Sequence, residues 1–87
     1  MRNKTQILYV MVMSNVILEK TYAQIGQRIR EIRISRKISQ IELATRCGVE
    51  PSNLNRIEHG KANPTVRTLH LIAIALGVGL AELVKDA

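Results

Sequence analysis

The chain has 87 residues and a mass of 9.8 kDa, enough for one domain, because separate cores normally need about 100 residues or more each. A hydrophobic content of 46% excludes a chain that is disordered throughout. Thirteen Lys and Arg against seven Asp and Glu give a net charge of +6, which points to a polyanionic partner, either nucleic acid or an acidic membrane surface.

Residues that form disulfides or bind metals are scarce. The single cysteine, Cys47, cannot form a disulfide within the chain, and two histidines do not supply a structural zinc site. Tyr9 and Tyr22 are the only aromatic residues, which disfavours the stacking surfaces of RNA-recognition sheets and OB barrels. We therefore expect a fold that rests on packing alone, with no metal and no cofactor.

Residues 1–21 form an apolar N-terminal arm with little usable periodicity. Its β-branched residues permit a strand that pairs with a second copy, and a packed helix fits about as well. Ser14 and Asn15 interrupt the apolar run, which argues against a secretory signal or a membrane span. We expect a soluble cytoplasmic protein with no membrane partner. All three methionines, Met1, Met11 and Met13, lie in this arm, so translation could begin at an internal one.

Residues 22–87 have apolar residues at helical spacing, and a first helix is predicted from Tyr22 to Ser35 with Ile25, Ile29 and Ile32 on one face. Ser39 and Glu42 make a capping box that starts a second helix at Gln40. Gly48 ends this helix, and a third runs from Pro51 to Glu58, with Gly60 closing it.

The last two predicted helices follow a turn at Asn63 and Pro64. Thr65 can cap a fourth helix that ends at Gly77 and buries four apolar residues, Leu69, Ile72, Ala73 and Leu76. A short fifth helix runs from Leu80 to Val84. Five helices with short connections and no convincing strand in residues 22–87 predict a compact all-α domain.

The second and third helices are joined by a turn too short for antiparallel packing, so they must cross steeply, as in a helix-turn-helix. Apolar contacts, a small residue for close approach and a glycine for the turn all occur at suitable places in one twenty-residue window: Leu43, Ala44, Cys47, Gly48, Val49, Leu54 and Ile57. Each match is weak alone, but together they are a strong signal.

This pattern resembles the lambda-repressor-like, or XRE/Cro-type, helix-turn-helix family. The resemblance runs from about Ile25 to Leu83, through IGQRIREIR, ISQIELATRCGV, NLNRIEHGKANPTVRTL and IAIALGV. It implies a mostly dimeric class of transcriptional regulators whose second motif helix lies in the major groove. Two residues depart from the family pattern: Lys37 stands where a Gly is usual, and Glu50 replaces the usual Ser or Thr cap. We expect a little strain at Lys37 and a weaker cap at Glu50.

The resemblance implies roles for individual residues. Candidates for DNA base contact are Glu50, Ser52, Asn55 and Arg56, because amides suit adenine, Arg suits guanine, and a carboxylate can accept from cytosine. Candidates for phosphate contact are Gln40, Asn53, His59, Lys61 and Asn63. Arg33 and Glu58 are expected to form a structural ion pair. Cys47 is interpreted as a small core residue, and His70 is assigned no role.

These residues favour a sequence-specific regulator that binds a double-stranded DNA operator as a homodimer. The dimer interface is predicted either at the helix-five end, with Leu80, Leu83 and Val84, or in the N-terminal arm. Three alternatives stay open: an antitoxin whose arm covers a toxin, a restriction-modification controller protein, and a protein-interaction module that no longer binds DNA. An enzyme is disfavoured, because the polar residues fall on a convex helix face with no metal, triad or phosphate-loop spacing.

Overall fold

A computed structural model describes residues 3–87 and contains five α-helices. They are α1 (Lys4–Ser35), α2 (Gln40–Cys47), α3 (Pro51–Glu58), α4 (Val66–Leu76) and α5 (Leu80–Val84). The described part of the chain contains no strand, so the all-α prediction is confirmed, and α2 to α5 have their predicted bounds.

The first helix is longer than predicted. It begins at Lys4 rather than Tyr22 and runs unbroken through the N-terminal arm for 32 residues. Asn3 starts it with a capping box, in which the Asn3 side chain accepts from the Gln6 amide at 2.8 Å and Gln6 Oε1 accepts from the Asn3 amide at 3.1 Å. The alternative of a strand in the arm is therefore wrong. Met1 and Arg2 lie outside the described residues.

One core holds residues 22–87 together. Its largest fully buried side chains come from all five helices: Ile29, Leu43, Leu54, Ile72, Leu76 and Leu83. The burial predicted for α4 is confirmed, but Leu83 is not the surface residue that a helix-five dimer interface needs, because it is fully buried in its own chain. Residues 3–21 of the arm contribute no side chain to this core. Among residues 3–87, no helix has both the length and the hydropathy that a membrane span requires.

Two glycines let α1 and the C-terminal end of α3 approach closely. A Cβ on Gly26, in the middle of α1, would overlap the carbonyl oxygens of Ile57 and Glu58. A Cβ on Gly60 would lie 2.8 Å from the Cα of Ala23, and Gly60 also has a φ of +70°. These contacts fix the position of α3 against α1.

Hydrogen bonds and backbone angles at the helix ends set the path of the chain between helices. Ser39 Oγ accepts from the Glu42 amide at 3.0 Å, but the predicted capping box is only half formed, because Glu42 pairs with Arg46 at 2.6 Å instead. The Arg36 guanidinium donates to the Leu76 carbonyl at the end of α4. Lys37 has a φ of 57°, which confirms the strained conformation expected there.

Candidate nucleic-acid interface

The contact between α2 and α3 is built from the predicted motif residues. Leu43, Ala44 and Cys47 of α2 are buried, as are Leu54 and Ile57 of α3. Gly48 takes the left-handed conformation with a φ of 69°, and the Val49 amide then donates to the Ala44 carbonyl at 3.0 Å. One side of α3 is therefore packed against the core, and its other side faces solvent.

The solvent side of α3 is polar. Ser52, Asn55, Arg56 and His59 stand at i, i+3, i+4 and i+7, so they share one face of the helix, and all four are exposed. We call these four residues the α3 face. Asn53 is also exposed, while Leu54, Ile57 and Glu58 are buried on the opposite side. The α3 face is convex and presents an amide, a guanidinium, a hydroxyl and an imidazole together.

Gln40, at the start of α2, is joined to the α3 face. Its Oε1 accepts a hydrogen bond from Asn55 Nδ2 at 3.3 Å. The bond leaves the Gln40 Nε2 group free to donate, and it leaves Asn55 one amide hydrogen and its oxygen, the pair that adenine requires. A predicted phosphate residue and a predicted base residue are thus brought together.

Arg56 is tied to the loop after α3. Its Nη2 donates to the Lys61 carbonyl at 3.1 Å, and the Lys61 amide donates back to the Arg56 carbonyl at 2.8 Å. In this conformation the guanidinium braces the loop. The bond uses one of the five guanidinium N–H donors, so four remain for a ligand such as guanine.

His59 has one ring nitrogen committed to its own helix. Nδ1 lies 2.7 Å from the Asn55 carbonyl, which can only accept, so Nδ1 carries the proton. Nε2 is then the nitrogen left for a ligand.

The remaining predicted contact residues surround the α3 face without joining it. Glu50 occupies the N-cap of α3, is exposed and makes no side-chain cap hydrogen bond, as expected for its weaker capping. Lys61 and Asn63 are exposed in the loop between α3 and α4.

Arg33 and Glu58 tie α1 to α3. The guanidinium donates from Nε to Glu58 Oε2 at 2.8 Å and from Nη2 to Oε1 at 2.9 Å, while Nη1 donates to the Ile38 carbonyl at 3.0 Å. The two side chains are 12% and 1% exposed. This two-point ion pair, beside the close contact at Gly26, sets the direction of α3.

Cys47 is a core residue here. Its thiol is buried, and burial raises its pKa above the ordinary value of 9.0. A thiol held neutral in this way packs as a small apolar side chain.

Sequence reasoning missed three features of this site. Gly26 is costly in a helix interior, so its position in the middle of α1 is itself a sequence signal of a close helix contact. The bond between Gln40 and Asn55 and the Arg56 brace join residues that are fifteen and five positions apart. Neither bond has a sequence signature.

Two comparisons of sequence and one of structure relate this chain to known proteins. The helix-turn-helix family profile matches residues 29–83. The immunity repressor protein of Bacillus phage phi105 is 40% identical over 62 residues, which are 71% of this chain and 43% of the repressor. The chain therefore matches less than half the length of that relative.

Two solved structures share the fold. The restriction-modification controller protein C.AhdI from Aeromonas hydrophila superposes with a TM-score of 0.70 at 32% identity, covering 71% of this chain and 94% of that one. The SinR protein/SinI protein complex gives a TM-score of 0.69 at 35% identity, covering 71% of this chain and 61% of that one.

Proposed function

The chain belongs to the helix-turn-helix family of DNA-binding regulators, in its lambda-repressor-like branch, and we propose that it binds a double-stranded DNA operator as a homodimer with α3 in the major groove. The observation that carries this proposal is the α3 face, a convex row of exposed polar side chains on a helix that is fixed from behind. An α-helix fits the major groove, where each base pair presents a distinct pattern of donors and acceptors.

In the proposed complex, Asn55 reads adenine and Gln40 contacts a phosphate. The hydrogen bond between them orients both amides before DNA arrives, so less side-chain entropy is lost on binding. Ser52 and Arg56 are further base contacts, and Glu50 accepts from a cytosine amino group. Asn53, His59, Lys61 and Asn63 are the proposed phosphate contacts.

A homodimer is proposed because one such domain offers a small interface. A single module buries roughly 600–1,000 Å² on DNA, whereas two copies read two half-sites about 34 Å apart or a multiple of that. The net charge of +6 favours approach to the duplex but carries no sequence information.

Selection of bound duplexes from a random pool tests this function. At about 150 mM salt, where the generic phosphate attraction is reduced, we expect a two-fold symmetric site. Asn55→Ala should relax one base position in each half-site. The matched pair Arg56→Ala and Arg30→Ala removes the same charge from the α3 face and from an exposed position on α1. Only Arg56→Ala should alter the selected sequence.

Recovery of no site would refute operator binding and favour an interaction module or an antitoxin that requires its toxin. An unchanged site with both Asn55→Ala and Arg56→Ala would refute reading by the α3 face.

A restriction-modification controller is a second candidate, because this chain superposes on 94% of the C.AhdI controller protein. It uses the same interface, so the position of the selected site decides. A site upstream of genes for a restriction enzyme and a methyltransferase supports a controller, and a site elsewhere supports a repressor of another kind.

A further inference from the structure

The N-terminal arm is the largest unpartnered surface of the described residues. It carries ten apolar side chains that are 40–67% exposed: Ile7, Leu8, Tyr9, Val10, Met11, Val12, Met13, Val16, Ile17 and Leu18. Together they leave on the order of 1,000 Å² in water, whereas the largest patch on a typical monomer is about 300–600 Å². Such a helix requires a partner.

One face of the arm is continuous and unobstructed. Tyr9, Val12, Met13 and Val16 stand at i, i+3, i+4 and i+7, so they line one side of α1. We call them the arm face. The folded body meets this side of α1 beyond the arm, where Ala23 lies against Gly60 and where Lys85 and Asp86 line a pocket together with Gln24 and Gln27. The arm face itself is exposed. A second helix can therefore lie along the arm face.

The pattern of the arm is nearly symmetric about its own middle. The apolar run from Ile7 to Leu18 has Thr5 and Gln6 before it and Glu19 and Lys20 after it. An antiparallel copy centred between Val12 and Met13 sets Tyr9 opposite Val16 and Val12 opposite Met13 on the arm face, and it matches polar ends with polar ends. Ser14 and Asn15 come level with Met11 and Val10, which lie off the arm face. An interface with a two-fold axis requires this self-complementarity.

Charge selects the antiparallel direction. The first turn of α1 has no acidic residue, although a helix N-terminus favours a nearby anion. In the antiparallel arrangement Glu19 of the second copy lies level with that first turn, and Lys20 lies level with the uncharged Thr5. A parallel arrangement would instead set Lys20, on the arm-face side of α1, beside Lys20 of the second copy, which is unfavourable.

We propose that the arm face binds the arm face of a second copy of this chain, in antiparallel orientation. Covering one side of each arm buries roughly half of its apolar area, about 1,000 Å² in total for the pair, which is the lower limit for a specific interface. This interface would hold together the homodimer of the proposed function, and its role in DNA binding rests on that proposal. Its existence, however, is measured without DNA.

Sedimentation equilibrium of the whole chain measures the association. At about 50 µM, a concentration at which a small specific interface is occupied, we expect at least twice the 9.8 kDa monomer mass. Tyr9→Gln with Val12→Gln should raise the dissociation constant by about 100-fold or more, because four partly buried side chains are lost per dimer. The substituted residues are 67% and 59% exposed.

Ile41→Gln with Ile74→Gln is the matched control, because these side chains are 68% and 61% exposed but lie on the folded body. It should leave the dissociation constant unchanged. Circular dichroism should show that both double variants keep a folded body, since neither pair belongs to the core.

Cysteine cross-linking tests the direction. Tyr9→Cys and Val16→Cys should form a disulfide when the two variants are mixed. Neither should form one alone, because equal positions in an antiparallel pair are more than about 7 Å apart. Cys47 is buried and should not take part.

A monomeric wild-type chain, or equal loss of association in the control, would overturn the arm interface and leave DNA binding untouched. Cross-linking of Tyr9→Cys to itself would overturn the antiparallel orientation. A dimer that selects no DNA would instead overturn the proposed function and leave the arm interface standing.

Discussion

Breaking the ion pair between Arg33 and Glu58 from the arginine side should be strongly destabilising. Arg33→Met leaves a carboxylate that is 1% exposed without either of its guanidinium donors, and an uncompensated buried charge costs about 3–5 kcal/mol. A domain of this size has a total stability of only about 4–13 kcal/mol. The variant should therefore unfold at a much lower urea concentration than the wild type, or be largely unfolded in buffer.

The reverse truncation should cost less. Glu58→Leu leaves Arg33 12% exposed and still donating to the Ile38 carbonyl, so we expect about 2 kcal/mol. The double variant Arg33→Met with Glu58→Leu removes both charges, and it should lie within about 1 kcal/mol of the wild type.

Urea unfolding at pH 7, followed by circular dichroism, measures all three variants on one scale. The coupling free energy from the double-mutant cycle should be about 3 kcal/mol or more. Costs that simply add, or an Arg33→Met cost below about 1 kcal/mol, would show that the pair is screened like a surface ion pair and does not fix α3.

Three further predictions concern single positions. Gly26→Ala should destabilise by about 1–3 kcal/mol in urea and weaken DNA binding, because the new methyl group pushes α3 away from α1. Gly79→Ala has open space around its Cβ, so it should cost only its poorer cap at the start of α5, about 0.5 kcal/mol. Lys37→Gly should raise the melting temperature by about 3–6 °C through release of the positive φ; Lys37→Ala removes the same charge and should give no rise. Cys47 should resist iodoacetamide at pH 8 until urea unfolds the chain, because burial raises its thiol pKa. The raised pKa also means that stability is retained below the ordinary thiol pKa and falls as the pH rises above 9.0, a decline that Cys47→Ala should reduce. Alkylation of the folded chain at the unfolded rate would contradict the buried state.

The helices of the body could be predicted from the sequence because local signals agree with the packing. Thr65 caps the start of α4 and Gly77 ends it, and the spacing of its apolar residues predicts the buried face. The arm had no such agreement. Its apolar residues lie on all sides of the helix, so the sequence shows no helical period of hydrophobicity. The N-cap of α1, Asn3, is in sequence only a polar residue before an apolar run.

The candidate site was predictable in its residue types and only partly in its geometry. The motif spacing brings Ser52, Asn55 and Arg56 to one side of α3, because the helical period does so in any sequence. The state of each side chain depends on tertiary contacts instead. Whether Arg56 is free or bound to the Lys61 carbonyl is decided by the path of the loop after α3, which no local pattern specifies.

Changing single base atoms in the selected operator measures whether α3 reads the major groove. Replacing purines with 7-deazapurines removes the N7 acceptor in the major groove, whereas replacing guanine with hypoxanthine removes only the amino group in the minor groove. We predict at least about a tenfold loss of affinity at one or more 7-deazapurine positions in each half-site, and little change with hypoxanthine. Loss confined to the hypoxanthine positions, with every 7-deazapurine tolerated, would show that α3 does not read the major groove.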